Sequence, residues 1–203
     1  EWPGLNLLGK VLDQLKEEFS LKNINTNDSK LSSNIEVKNF YERYEGLLKN
    51  ESKFAHFHDD QTFVFIGSGP LPLTLILFRQ AFGCKCVGIE IQEDVAELSR
   101  KVIDKLGLSE GIEIIVGDEN KLKEIDYDIV MVAAFAEPKD RVFSNVWETV
   151  DITTPVLVRT YSGMRAILYA PLTDKDIRGF HKEIMLLPIG NTNNTSVLLR
   201  KVV

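Results

Sequence analysis

Phe65-Ile66-Gly67-Ser68-Gly69-Pro70-Leu71-Pro72-Leu73-Thr74 is an apolar run that meets a Gly-Ser-Gly turn and then an apolar helix start. A strand that enters a helix through two glycines can reverse tightly and approach a ligand with no Cβ in between. The unpaired N–H groups of the helix start offer donors to a polar ligand. The third glycine of a dinucleotide fingerprint is absent, and Pro-Leu-Pro-Leu stands in its place. The stretch therefore points to a nucleoside without a pyrophosphate, with Gly67, Ser68, Gly69, Pro70, Leu71 and Thr74 as its contacts.

Around this stretch, short Val- and Ile-rich runs alternate with helical patterns. Phe63 to Ile66 reads as a strand, Leu71 to Phe82 as a helix, Cys86 to Ile89 as a strand and Val95 to Leu106 as a helix. Further strands are expected at Ile112–Val116, Ile129–Ala133 and Val156–Thr160, with a helix at Arg141–Val150. Ala166–Tyr169, a helix near Asp174–Glu183 and a closing strand at Ser196–Val202 complete the pattern. Strands apolar on both faces and separated by helices predict a doubly wound, mainly parallel sheet with an antiparallel C-terminal edge. Upstream, Leu5–Leu21 has helical spacing, Asn23–Asn34 is a polar linker, and Val37–Phe54 is a second helix. Residues 1–55 thus form a helical N-terminal segment and 56–203 one α/β domain.

Composition narrows the function classes. A chain of 203 residues with 24 basic and 30 acidic side chains carries −6 and shows no basic stripe, which argues against nucleic acid. No apolar run approaches the roughly 20 residues of a membrane span, and residue 1 opens no signal-peptide pattern, so a cytoplasmic protein is expected. Cys84 and Cys86 fall two apart in an expected strand and are read as small buried side chains rather than a metal or redox pair.

In open α/β sheets, ligands sit beyond the carboxyl ends of the strands. Glu90 ends the second strand 21 residues after Gly69, where a carboxylate can accept from both ribose hydroxyls. Asp118, in Gly117-Asp118-Glu119, can accept from an adenine amine; Ile91, Ala133 and Ala134 lie at neighbouring strand ends. This order of signals resembles the Rossmann-like class I fold of S-adenosylmethionine-dependent methyltransferases. NAD is the competitor, since Glu90 would serve its ribose equally well; the missing glycine and Asp118 favour the sulfonium.

The opening stretch further resembles the signature of nicotianamine synthases. Met131-Val132-Ala133-Ala134-Phe135-Ala136-Glu137-Pro138-Lys139, the segment Arg159 to Pro171 and Asn193-Asn194-Thr195-Ser196-Val197-Leu198 are similar to its archaeal branch. The resemblance runs from about Phe40 to the end. It implies S-adenosylmethionine as co-substrate, with no metal needed for catalysis. The 3-amino-3-carboxypropyl group passes to an amino-acid amine, methylthioadenosine leaves, and the product is a small metal chelator. The alternatives are a small-molecule methyltransferase and a catalytically impaired binding module. Phe40-Tyr41-Glu42-Arg43-Tyr44 matches the family's Phe-Tyr-x-x-Tyr helix, which makes Tyr44, with Tyr41, the candidate catalytic pair, although Tyr41, Tyr44 and Leu48 also suit an ordinary packing stripe. Arg159 and Arg165 are candidates for gripping substrate carboxylates or for pairing with acids. The family's helical N-terminal domain supplies a catalytic glutamate, and only one helix precedes the linker here. Glu17 and Glu18 lie on it without aligning to that glutamate. His56, His58, Asp59 and Asp60 precede the first strand, away from the ligand end, and read as a solvated loop.

Overall fold

The structure, a computed structural model, describes residues 35–161, 171–185 and 194–202. The helix and linker expected at Leu5–Asn34, the segment Ala166–Tyr169, Arg165, Glu17 and Glu18 lie outside the described residues. Helix α1 spans Ile35–Phe54 and leads to β1, Thr62–Ile66. Then come α2 (Leu73–Phe82), β2 (Lys85–Glu90), α3 (Glu93–Lys105) and β3 (Ile112–Val116). A 3-10 turn at Glu119–Glu124 precedes β4 (Ile129–Val132), α4 (Lys139–Thr149), β5 (Val156–Tyr161), β6 (Phe180–Met185) and β7 (Asn194–Lys201).

Among the described residues the strands make one seven-stranded sheet in the order β3-β2-β1-β4-β5-β7-β6. β1 pairs in parallel with β2 and β4, and β4 with β5, in the doubly wound arrangement expected. β7 is antiparallel, as expected of the C-terminal strand, but it inserts between β5 and β6, so β6 forms the edge. Both faces of the central strands are buried. Phe63, Phe65, Met131 and Leu157 meet α1, α2 and α3 on one side; Val64, Ile66, Val132 and Val158 meet α4 on the other.

Local chemistry explains where elements begin. Leu71 precedes Pro72, which disfavours the helical region for it, so α2 starts at Leu73 with Pro72 as its cap rather than at Leu71. Phe78 of α2 stacks on Phe63 of β1 at 4.3 Å and 8°, and Phe57 closes the cluster edge-on at 5.2 Å from Phe78. Phe57 also packs on Phe82 at the end of α2, whereas Tyr44 stands beside Thr74 in its first turn. α1 therefore descends toward the start of β1, and its N-terminal part lies toward the ligand end of the sheet.

The helix expected near Asp174–Glu183 is not formed. Residues 174–179 turn and Phe180–Met185 is β6, paired with β7. Gly179 breaks any helix there: its φ is +85°, and its carbonyl accepts from Trp147 Nε1 at 3.1 Å and from Val202 N–H at 2.7 Å. Cys84 lies just before β2 rather than in it, and its thiol is 3.5 Å from that of buried Cys86. The contact with Cys84, with burial, pushes the Cys86 thiol far above its ordinary range.

The turn after β1 rests on a close approach inside the core. A Cβ at Gly88 of β2 would lie 2.6 Å from Ile114 Cδ1, 2.8 Å from Leu75 Cδ1 and 3.0 Å from Ser68 Cβ. The Ser68 contact is the one that cannot swing aside, because it is the root of the side chain. Gly88→Ala should therefore cost about 1–3 kcal/mol in urea denaturation through overpacking beneath the Gly67–Gly69 turn. A denaturation midpoint equal to wild type would contradict this packing.

Candidate active site

The turn after β1 is held by the second strand. Gly67 and Ser68 N–H donate to Ile89 O at 2.8 and 3.3 Å, and Gly69 N–H donates to Glu90 Oε2 at 3.0 Å. Glu90 is buried at the end of β2 and accepts a second backbone bond, from Gln92 N–H to Oε1 at 3.1 Å. Each carboxylate oxygen keeps lone-pair capacity for a further donor, the requirement for holding a vicinal diol. Gly67 has a φ of +78°, and a Cβ there would stand 3.1 Å from Ala133 Cβ, so glycine suits this point for both conformation and space.

These strand ends enclose a cleft of about 450 Å³. Of the predicted ligand residues, Gly67, Gly69, Glu90, Ile91, Gly117, Asp118 and Ala133 line it. Asp118 also caps the following 3-10 turn, with Oδ1 accepting from Asn120 N–H at 3.1 Å. The others do not line the cleft. Ser68 turns into the core, and Pro70 and Leu71 are exposed at the tip of the turn. The Ala134 carbonyl accepts from the buried Lys139 ammonium at 3.1 Å. Phe135, Glu119 and Arg141 line the cleft without having been anticipated. Glu119 is buried and accepts from Asn145 Nδ2 at 2.6 Å, with Arg141 Nε 3.8 Å away. A second depression, of about 520 Å³, lies at Thr62, Asp126 and Asp128, the opposite end of the sheet from the strand termini that bind ligands in this fold.

On the far side of the glycine turn, four elements meet in a polar cluster within the apolar face. Arg159 of β5 donates through Nε to Glu51 Oε1 at 3.0 Å and through Nη2 to Glu51 Oε2 at 2.8 Å. Its Nη1 donates to Tyr44 Oη at 3.2 Å and Thr74 Oγ1 at 3.0 Å. The Tyr44 and Thr74 hydroxyls are 2.7 Å apart, and Ser196 Oγ of β7 donates to Glu51 Oε1 at 2.5 Å. Burial opposes the Arg159 charge, yet Glu51 and Tyr44 hold its pKa above the ordinary arginine value. Thr74, expected as a cofactor contact, thus belongs to this cluster, and Arg159 pairs with an acid. Glu51 was not anticipated. Its signal was an acid on the same stripe as Tyr44, Leu47 and Leu48, one that is fully buried here.

Among the described residues no group of three or more His, Cys, Asp and Glu side chains could hold a metal, and His56, His58, Asp59 and Asp60 are exposed. The Tyr41 backbone lies one turn above Tyr44 in α1.

Arg159→Met keeps an unbranched apolar stem and leaves the Glu51 carboxylate buried without a counter-charge. The expected loss is about 3–5 kcal/mol in urea denaturation, with most of it recovered when Glu51→Leu is added. A single variant as stable as wild type would show that Glu51 does not depend on the pair.

Residues 4–203 match the family model described as nicotianamine synthase protein, which carries the likeness upstream of Phe40. Nicotianamine synthase 2 of Arabidopsis thaliana is 25% identical over 98% of this chain and 65% of its own length. The crystal structure of MtNAS in complex with MTA and tNA superposes with a TM-score of 0.78 at 43% identity, covering 98% of this chain and 70% of that one. A point mutant of MtNAS in complex with S-adenosylmethionine gives 0.79 at 44% identity, over 98% of this chain and 78% of that one. The chain thus spans about two thirds of the length of the plant relative. With nearly its whole length matched, and with the glycine turn, Glu90 and Asp118 gathered at one strand-end cleft, this chain belongs to the nicotianamine synthase family.

Proposed function

We propose that this chain transfers the 3-amino-3-carboxypropyl group of S-adenosylmethionine to an amino-acid amine, releasing methylthioadenosine and building a nicotianamine-type chelator. The observation that carries this reading is the cleft itself. Glu90 is presented at the end of β2 with both oxygens oriented by backbone N–H groups, beside Gly67, Gly69 and Asp118. Such a carboxylate suits the ribose of a nucleoside, and Asp118 suits an adenine amine. The MtNAS structures, with S-adenosylmethionine in one and MTA in another, support the same ligand here.

In the proposed reaction the deprotonated amine nitrogen forms a bond to the γ-carbon of the methionyl chain. The bond from that carbon to sulfur breaks, and its electron pair neutralises the sulfonium. The amine proton passes to a base or to water. Because the sulfonium already provides a good leaving group, the step needs no metal. What the protein must supply is alignment, since three carbons around sulfur are activated alike. Tyr44 is our candidate at the reaction centre, with Tyr41 one turn earlier in α1. Its hydroxyl lies beside Thr74, in the first turn of the helix that follows the glycine turn. We assign residues 1–55 to a helical N-terminal segment and 56–203 to the α/β domain. The buried Leu47 and Leu48 of α1 support packing of this helix on the domain.

A small-molecule acceptor fits the acidic balance of −6 better than nucleic acid does. No described helix is long and apolar enough to cross a membrane. The two buried free thiols fit a reducing cytoplasm.

Product analysis tests the reading. Protein given S-adenosylmethionine and amino acids should release methylthioadenosine; S-adenosylhomocysteine in its place would assign methyl transfer instead. Glu90→Ala should weaken S-adenosylmethionine binding by about 10–100-fold in calorimetry, the loss expected when a buried hydrogen-bonding carboxylate is removed from a ligand. Unchanged affinity would remove Glu90 from the ribose site.

A further inference from the structure

The Glu51 carboxylate is fully buried, lies outside the cleft and takes no part in the reaction proposed above. We propose that Glu51 is a positioning residue, which locks Arg159 so that Arg159 in turn fixes the hydroxyls of Tyr44 and Thr74 beside the glycine turn. The inference rests on the reading that Tyr44 stands at the reaction centre.

The guanidinium geometry carries the argument. Arginine has five N–H donors in a rigid plane. Two go to the two oxygens of Glu51 and two to Tyr44 and Thr74. Among the described residues one N–H, on Nη2, is left. A bidentate grip on a substrate carboxylate would need an edge with two donors, and both such edges are committed to protein groups. Arg159 is therefore built as a bridge between Glu51 and the two hydroxyls.

Each end of the bridge is fixed by a different element. Ser196 of β7, directly opposite Arg159 in the antiparallel ladder, donates to Glu51 Oε1. The guanidinium carbon lies 5.4 Å from the centroid of the Tyr44 ring and 5.8 Å from that of Phe65, so the plane is held by aromatic faces as well as by hydrogen bonds. Tyr44 and Glu51 are seven residues apart on α1, two helical turns, which brings both onto the one guanidinium. Arg159 donates to the phenol oxygen of Tyr44, and the Thr74 hydroxyl shares a hydrogen with it. The position of that oxygen is thereby set by a carboxylate that does not touch it.

The full chain, labelled with 3-fluorotyrosine, gives five fluorine resonances at most, and Tyr44→Phe assigns one of them. Glu51→Gln should shift or broaden the Tyr44 resonance and leave the others in place. An unmoved Tyr44 resonance overturns the proposal, whatever the reaction catalysed. In turnover, Glu51→Gln should lower kcat about tenfold, the scale of a misplaced reacting group, with the Kd for S-adenosylmethionine unchanged. The double variant Glu51→Gln/Tyr44→Phe should be no slower than Tyr44→Phe alone, because Glu51 acts through Tyr44. Losses that multiply, or a Kd that rises together with the fall in kcat, overturn it in favour of a general packing role. Glu51→Asp should recover part of kcat, since it keeps the charge. Ser196→Ala reports on the same bridge, by the same resonance, if Glu51→Gln does not fold. Release of S-adenosylhomocysteine by the wild type would refute the proposed transfer, and the fluorine resonance would still decide whether Glu51 positions Tyr44.

Discussion

β1 is covered on both faces, and that constraint orders the rest of the molecule. Phe63 and Phe65 point to one apolar layer, Val64 and Ile66 to the other, and no polar side chain of the strand interior meets either. Backbone hydrogen bonds are satisfied by β2 on one side and β4 on the other, so the strand has no free edge and no free face. At its carboxyl end, where Ile66 gives way to Gly67, the chain leaves these layers and chemistry can emerge. The glycine turn, Glu90 and Asp118 converge at that level because neighbouring parallel strands end together. The position of the cleft is thus a consequence of the burial pattern.

The cluster at Glu51 brings a charged pair into a mainly apolar layer, and its energetics are demanding. Taking a carboxylate and a guanidinium out of water costs several kcal/mol per ion, which their attraction offsets only with good geometry and full hydrogen bonding. Both conditions are met here: the pair is bidentate, and Ser196, Tyr44 and Thr74 satisfy much of what remains. An apolar pair of similar volume would hold α1 on the sheet as well, but it would tolerate sliding and rotation. A two-edged guanidinium tolerates neither, because a shift of α1 by one turn would separate Glu51 from Arg159. The cluster therefore specifies the register of α1 against β5 and β7.

Legibility in the sequence followed the range of the interactions involved. Glu90 could be placed from spacing alone, because a strand, a helix and a strand of ordinary length leave little freedom in where the second strand ends. The strands at Ile112–Val116 and Ile129–Val132 were similarly plain, being short apolar runs bounded by polar turns. Phe180–Met185 was not, since Phe-His-Lys-Glu-Ile-Met suits a helix as well as an exposed edge strand, and its pairing with β7 decides the matter. The insertion of β7 between β5 and β6 is likewise a long-range fact that no local pattern encodes. Glu51 was hidden for another reason. On a helix an acid beside apolar positions is ordinarily solvated, and only the arrival of Arg159, 108 residues later, makes its burial tolerable.

The same logic places the two polar assemblies on opposite flanks of one short connection. The cleft uses the backbone of Gly67 and Gly69, and the Glu51 cluster uses the hydroxyl of Thr74, five residues beyond Gly69. Between them run Pro70 and Pro72, whose fixed φ angles leave this connection few ways to bend. A stiff connection transmits position: wherever Arg159 holds Thr74, the start of α2 follows, and with it the glycine turn that shapes the cleft. In the proposed function, binding of a nucleoside and alignment of Tyr44 would thereby be referred to one rigid piece of backbone. The proposed transfer, in which geometry must select one of three equally activated carbons, would require that the two halves of the site share a frame, and the connection from Gly67 to Thr74 is suited to be that frame.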